Sequence, residues 1–187
     1  MQKMFFFALV AGFLALIVIT PIAAGDGALR FGLGVGNHHS KAVDLYWQYS
    51  FAPWLDKPDY QLTPFANLGL SHWKGSSVDD EGVNFKNDSI WGLVAALGLR
   101  YSLTYWEVIH PYLALSAGPS YISDNTFLDR NLGGGHYIFN LRASLGFSFG
   151  EEYRHRLSLD ASHYSNAFTQ RDNTGFNYLG SSYGFSF

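Results

Sequence analysis

Tyr137-Ile138-Phe139-Asn140-Leu141-Arg142-Ala143-Ser144-Leu145-Gly146-Phe147-Ser148-Phe149 alternates residue by residue. Tyr137, Phe139, Leu141, Ala143, Leu145, Phe147 and Phe149 share one face. His136, Asn140, Arg142, Ser144, Gly146 and Ser148 share the other. A period of two is the signature of a β-strand with two different surroundings. In a soluble sandwich the apolar face would be internal and the charges external. Here the small and polar set suits the inside of a narrow barrel, and the aromatic and aliphatic set suits lipid.

The same rhythm recurs along the chain. Trp91, Leu93, Ala95, Leu97, Leu99, Tyr101 and Leu103 oppose Gly92, Ala96, Gly98, Arg100 and Ser102. Leu157, Leu159 and Ala161 oppose Ser158, Asp160 and Ser162. Strands are expected near Leu29–Asn37, Val43–Phe51, Gln61–Trp73, Ser89–Leu103, Val108–Tyr121, Gly135–Phe149, Tyr153–Tyr164 and Phe176–Phe187. The fold expected is all-β: an eight-stranded antiparallel transmembrane barrel of the bacterial outer membrane. Arg100, Arg142 and Asp160 are expected inside it as a paired polar core, because lone buried charges are too costly. Gly32, Gly34 and Gly36 alternate and read as lumen-facing; no helix follows them, so they are no phosphate loop.

Composition agrees. Aromatic residues make up 18% and charged residues 14%, with 20 glycines and a net charge of −3, an unusual profile for a water-soluble enzyme and a natural one for a lipid-facing wall with aromatic girdles. Trp47, Trp54, Trp73, Trp91 and Trp106 are expected as interface anchors. The absence of any basic run argues against nucleic acid. With no cysteine, the chain holds neither disulfide nor thiolate site.

Met1 to Ala24 reads as a cleaved signal peptide: Lys3 forms the basic end, Phe5 to Ile19 the apolar run, and Pro21-Ile22-Ala23-Ala24 the break before the cut. Residues 25–187 then form one barrel domain of 163 residues (187 − 24). With the mature N-terminus in the periplasm, the periplasmic connections Ala52–Tyr60, Thr104–Glu107 and Gly150–Glu152 are short. Lys74–Asp88, Ile122–Gly134 and Ser165–Gly175 face outward and are longer and more polar, and His38–Ala42 is a short outward turn.

The chemistry stands at the outer end of the seventh strand. His163 and Ser165 lie two residues apart and share a face, the greasy one. An imidazole within reach of a hydroxyl is the minimum needed to make serine a nucleophile, and one that looks into lipid calls for a lipid substrate. Asn177 lies on the same face of the next strand at the same depth, where it can orient the imidazole. An acyl chain is expected to run over Leu157, Leu159, Leu179, Phe185 and neighbours on the sixth strand. His38-His39 with His72 or His136 lack a carboxylate at ligand spacing, so neither a metal nor another cofactor is expected. Asp79-Asp80-Glu81 reads as a solvated loop.

His163-Tyr164-Ser165-Asn166-Ala167, followed by Asn173-Thr174-Gly175 and the last strand, resembles the active-site segment of the lipid A 3-O-deacylase (PagL type) family. That resemblance implies an outer-membrane serine esterase that removes the 3-hydroxyacyl chain at position 3 of lipid A with a Ser-His-Glu triad and no metal. It makes Ser165 the nucleophile and His163 the base. It also makes Asn173 a support of the oxyanion hole and Asn166 a further site asparagine. Asn177 stands where the family has glutamate, with Asp172 in the adjoining loop as a substitute acid. The implied partners are lipid A or lipopolysaccharide as substrate, the surrounding outer-membrane lipids, and a second barrel in a homodimer able to mask or complete an outward-facing site. The rival readings are a catalytically inactive structural barrel, for which Asn177 is the best argument, and a phospholipase or acyltransferase of the same membrane.

Overall fold

The computed structural model describes residues 26–37, 40–75, 88–128, 130–132, 135–167 and 175–187. The expected signal peptide, His38, His39, Asp79, Asp80, Glu81, Asp172 and Asn173 lie outside the described residues.

Eleven strands follow in chain order: β1 (Asp26–Gly36), β2 (Lys41–Ser50), β3 (Leu55–Asp56), β4 (Tyr60–Lys74), β5 (Ser89–Leu103), β6 (Ile109–Ile122), β7 (Thr126–Phe127), β8 (Arg130–Asn131), β9 (Tyr137–Phe149), β10 (His155–Ser165) and β11 (Phe176–Ser186). The eight long ones pair antiparallel in the order β2-β1-β11-β10-β9-β6-β5-β4, and β2 with β4 closes the ring. Closure leaves no sheet edge, the condition for crossing a bilayer with strands. β3 is a short flap on β4. The eight expected strands are the eight staves, with boundaries within a few residues.

The two faces part as the alternation requires. Along β10, Leu157, Leu159, Ala161 and His163 are exposed, while Arg156, Ser158, Asp160, Ser162 and Tyr164 are buried. Leu33, Val35, Leu145, Leu159 and Leu179 belong to a continuous apolar exterior. Trp47, Trp54, Trp91 and Trp106 stand on that exterior, as expected of interface anchors.

Trp73 does not. It is 1% exposed, inside the barrel, packed edge-on against Tyr164 with ring centroids 4.9 Å apart. Leu68 and Leu70 point outward on β4, so parity sends Trp73 inward. It joins Tyr164, Phe176, Phe127, Leu128 and Leu132 in an apolar plug at the outer end. Phe127, Leu128 and Leu132 come from the outward connection that carries the β7–β8 hairpin, which the sequence reading treated as loop.

Below the plug the lumen is polar and densely paired. Arg142 donates to Asp44 at 2.7 Å, to Tyr46 at 2.8 Å, to Ser162 at 3.0 Å, and to Tyr178. Arg30 bonds Ser182, Ser158 and Asp160 at 2.6, 3.0 and 3.3 Å. Arg156 reaches Gln48 and Ser186. The expected trio of Arg100, Arg142 and Asp160 is therefore three separate arrangements. Arg142 pairs with Asp44 and Asp160 with Arg30, while Arg100 reaches the Ser50 hydroxyl at 3.4 Å and no carboxylate among the described residues. Alternation decides which side a charge faces; barrel closure decides which charge it meets.

Candidate active site

β10 delivers His163 and Ser165 near its outer end, and β11 returns past them with Asn177 directly opposite His163 in the register. Side chains directly opposite on one face have Cβ atoms about 5 Å apart. The contact is made: His163 Nδ1 lies 2.6 Å from Asn177 Oδ1. An amide oxygen only accepts, so the proton sits on Nδ1 and Nε2 keeps its lone pair. The imidazole is thereby set as a base, with its free nitrogen on the outer wall.

Ser165 follows on the same face, roughly 6.6 Å along the strand by backbone rise, half-buried and in register with Phe139 of β9. Its hydroxyl is not hydrogen-bonded to His163 among the described contacts. Such bonds often tighten only when substrate binds.

Three residues to which the sequence reading gave no role hold this geometry. Tyr164, between the two, points inward and is 1% exposed. It packs against Trp73 and Phe176 and stacks on Tyr178, so the outer end of β10 is bolted to the plug. Asn37, in the turn after β1, accepts the backbone N–H of Asn177 at 3.2 Å through its Oδ1. Its own turn is closed by Ser40, whose hydroxyl donates to the Asn37 carbonyl at 2.7 Å. Gly175 has φ of +60°, and a Cβ there would sit 3.0 Å from His163 Cε1, so the imidazole edge rests on bare backbone. Gly175 was within the quoted motif, but nothing in its spacing revealed the contact.

Asn166 is fully buried and is not without a partner. Ala167 beyond it takes a left-handed φ of +49°, a conformation that costs a non-glycine residue on the order of 1 kcal/mol or more. Of the remaining histidines, His72 is hydrogen-bonded to Ser89 at 2.8 Å and His136 to the Ile122 carbonyl at 2.8 Å.

A closed barrel with a polar lumen and an apolar outer wall defines a class: transmembrane barrels of the outer membrane, here with an oriented imidazole and a hydroxyl at the wall's outer end. Residues 41–186 match the family described as lipid A 3-O-deacylase (PagL), and the chain belongs to that family. The lipid A deacylase PagL of Bordetella bronchiseptica is 24% identical over 167 residues, covering 87% of this chain and 84% of that protein. The fold is similar to the crystal structure of the outer membrane enzyme PagL, with a TM-score of 0.71 and 19% identity over 84% of this chain and 98% of that one. The protein is thus an outer-membrane β-barrel of lipid A 3-O-deacylation.

Proposed function

We propose that this deacylase works as a serine esterase, with Ser165 as nucleophile, His163 as base and Asn177 as the residue that positions His163. The observation that carries this reading is the 2.6 Å contact from His163 to Asn177 on the face that also bears Ser165. Ser165 Oγ attacks the ester carbonyl carbon at position 3 of lipid A while His163 Nε2 takes its proton. The tetrahedral intermediate collapses as His163 returns that proton to the departing sugar oxygen. Water then attacks the acyl-enzyme, again losing a proton to His163, and a 3-hydroxy fatty acid leaves with Ser165 restored.

Asn173 and backbone N–H groups of the loop that follows β10 would hold the oxyanion. Asn166, fully buried, supports the site without touching substrate. No metal or cofactor takes part. The leading segment 1–24 acts as a signal peptide, and a homodimer would have to leave the β10–β11 face open to lipid.

Asn177 in place of a carboxylate is the observation that most favours a catalytically inactive barrel. It fixes the tautomer but cannot offset the imidazolium charge that forms during attack. The deciding experiment is mass spectrometry of lipid A incubated with refolded protein. Loss of one 3-hydroxyacyl group with wild type and not with Ser165→Ala upholds the esterase. Intact lipid A with wild type, Ser165→Ala and Asn177→Glu alike upholds the inactive barrel, and consumption of glycerophospholipid instead would point to a phospholipase.

A further inference from the structure

The outer ends of β2 and β4 bring two like charges face to face. Lys41 and Lys74 are direct register partners, both exposed on the outer wall. Their Cβ atoms are therefore about 5 Å apart, and like charges so placed destabilise a sheet. Among the described residues no carboxylate forms an ion pair with either ammonium. The described residues hold three lysines, and the third, Lys57, lies in the periplasmic turn between β3 and β4. A lysine that only reaches for water at the lipid boundary needs no second one opposite it. An anion shared by the two ammonium groups turns their repulsion into attraction.

Below this pair the wall is graded. Ser89 stands beside Lys74 in the same row. One rung deeper on that face come Val43, His72 and Trp91. The His72 and Trp91 rings lie 4.2 Å apart, and His72 is hydrogen-bonded to Ser89 at 2.8 Å. Deeper again, Leu45, Leu70 and Leu93 are aliphatic and exposed. From the rim inward the face thus runs from ammonium and hydroxyl, through imidazole and indole, to hydrocarbon. A lipid with an anionic headgroup has the same order along its length, with indole at headgroup depth.

The place of this face in the ring separates it from the candidate active site. β2 is three staves from β10 by way of β1 and β11, and β4 is four staves from it by way of β5, β6 and β9. In a ring of eight the β2–β4 seam and β10 are on opposite sides. A lipid seated on the seam is not the lipid whose ester meets Ser165.

We infer that the outer rim of the β2–β4 seam binds a phosphate group of a second lipid A molecule, held between Lys41 and Lys74, with acyl chains over Val43, Leu45, Leu70 and Leu93. Charge and depth choose the occupant. The lysines stand at the same end of the barrel as His163 and Ser165, in the leaflet that presents lipid A, whose phosphates supply the anion. Each lysine beside an anionic lipid surface strengthens binding roughly fivefold. This lipid is anchored and not cleaved, so the inference is independent of the esterase reading.

The test puts its probe on the lysines. Refolded Ser165→Ala protein, which leaves lipid intact, has its lysines dimethylated with ¹³C-formaldehyde, a label that keeps their charge. It is titrated with diphosphorylated lipid A in zwitterionic micelles, and resonances are assigned by single Lys→Arg variants. The Lys41 and Lys74 signals should shift together and saturate, while Lys57 stays still. Lys41→Gln should raise the lipid A concentration needed to shift Lys74 about fivefold, and dephosphorylated lipid A should shift neither. No shift, an equal shift at Lys57, or an equal shift with dephosphorylated lipid A overturns the inference. An equal shift with phosphatidylglycerol or inorganic phosphate also overturns it, since the site would then not select lipid A. With Ser165 restored, Lys41→Gln/Lys74→Gln should deacylate lipid A with wild-type kcat and KM. A loss there would assign the pair to the substrate's own site and overturn the second one. If wild type cleaves no lipid A, the esterase reading falls while the lysine signals still decide the seam.

Discussion

His163 and Asn177 face each other across β10 and β11 with Nδ1 and Oδ1 2.6 Å apart, on the outer wall of the barrel. In the mechanism proposed above, this pair is the imidazole–orienter half of a hydrolytic triad, made with a neutral partner. A neutral partner holds the ring in the right tautomer and contributes nothing to balance the charge the ring acquires, so the two duties normally shared by one carboxylate are separated here.

That separation sets the first prediction. Asn177→Glu should raise kcat on lipid A by tenfold or more, with KM little changed, because the gain belongs to the transition state. Asn177→Leu should lower kcat by about 10²–10⁴-fold, the upper figure being the loss when a serine protease's triad aspartate is replaced by asparagine and the tautomer is wrong. Single-turnover release of 3-hydroxy fatty acid measures both. A glutamate variant no faster than wild type would remove Asn177 from the reaction.

His163 and Ser165 act as one unit in this scheme, so their losses should not add. Ser165→Ala, His163→Ala and the double variant should share one residual rate within a few-fold. All three should keep the heat-modifiable gel mobility of a folded barrel, since both side chains are on the outer wall. A double variant far slower than either single one would mean that they contribute independently.

Gly175 carries a prediction that separates position from stability. Alanine there is strained by the φ of +60° and brings its Cβ to 3.0 Å from His163 Cε1. Displacing the ring by even a fraction of an ångström should lower kcat about 10–100-fold. The unfolding free energy in micelles should fall by only about 1–2 kcal/mol. Wild-type kcat in Gly175→Ala would show that the imidazole has room to spare.

Inside the barrel, Arg142 and Asp44 are 4% and 3% exposed and 2.7 Å apart. Arg142→Met strands the carboxylate and should cost about 3–5 kcal/mol by urea unfolding in micelles. Adding Asp44→Leu should recover most of that, because a pair removed together leaves no orphan charge. A double variant as unstable as Arg142→Met alone would show that the tyrosines around the pair, not its charges, carry the stability.

The sequence by itself determined the eight staves, the sidedness of nearly every residue and the depth of His163, Ser165 and Asn177. Those depend on strand parity and on counting from the turns, which are local properties of an extended chain. It also singled out the candidate pair, because an imidazole and a hydroxyl follow the apolar run of Leu157, Leu159 and Ala161 in one register on β10. Only the closed barrel decided the rest. Arg142 met Asp44 across 98 residues and Arg30 met Asp160 across 130, partners chosen by the stagger between strands when the ring shuts. Trp73 turned inward by one residue of parity at the end of β4. Phe127, Leu128 and Leu132 came out of an outward loop to plug the lumen. Alternation tells a side chain which surface it is on. What it touches there is set by a register that exists only after the first and last strands have paired.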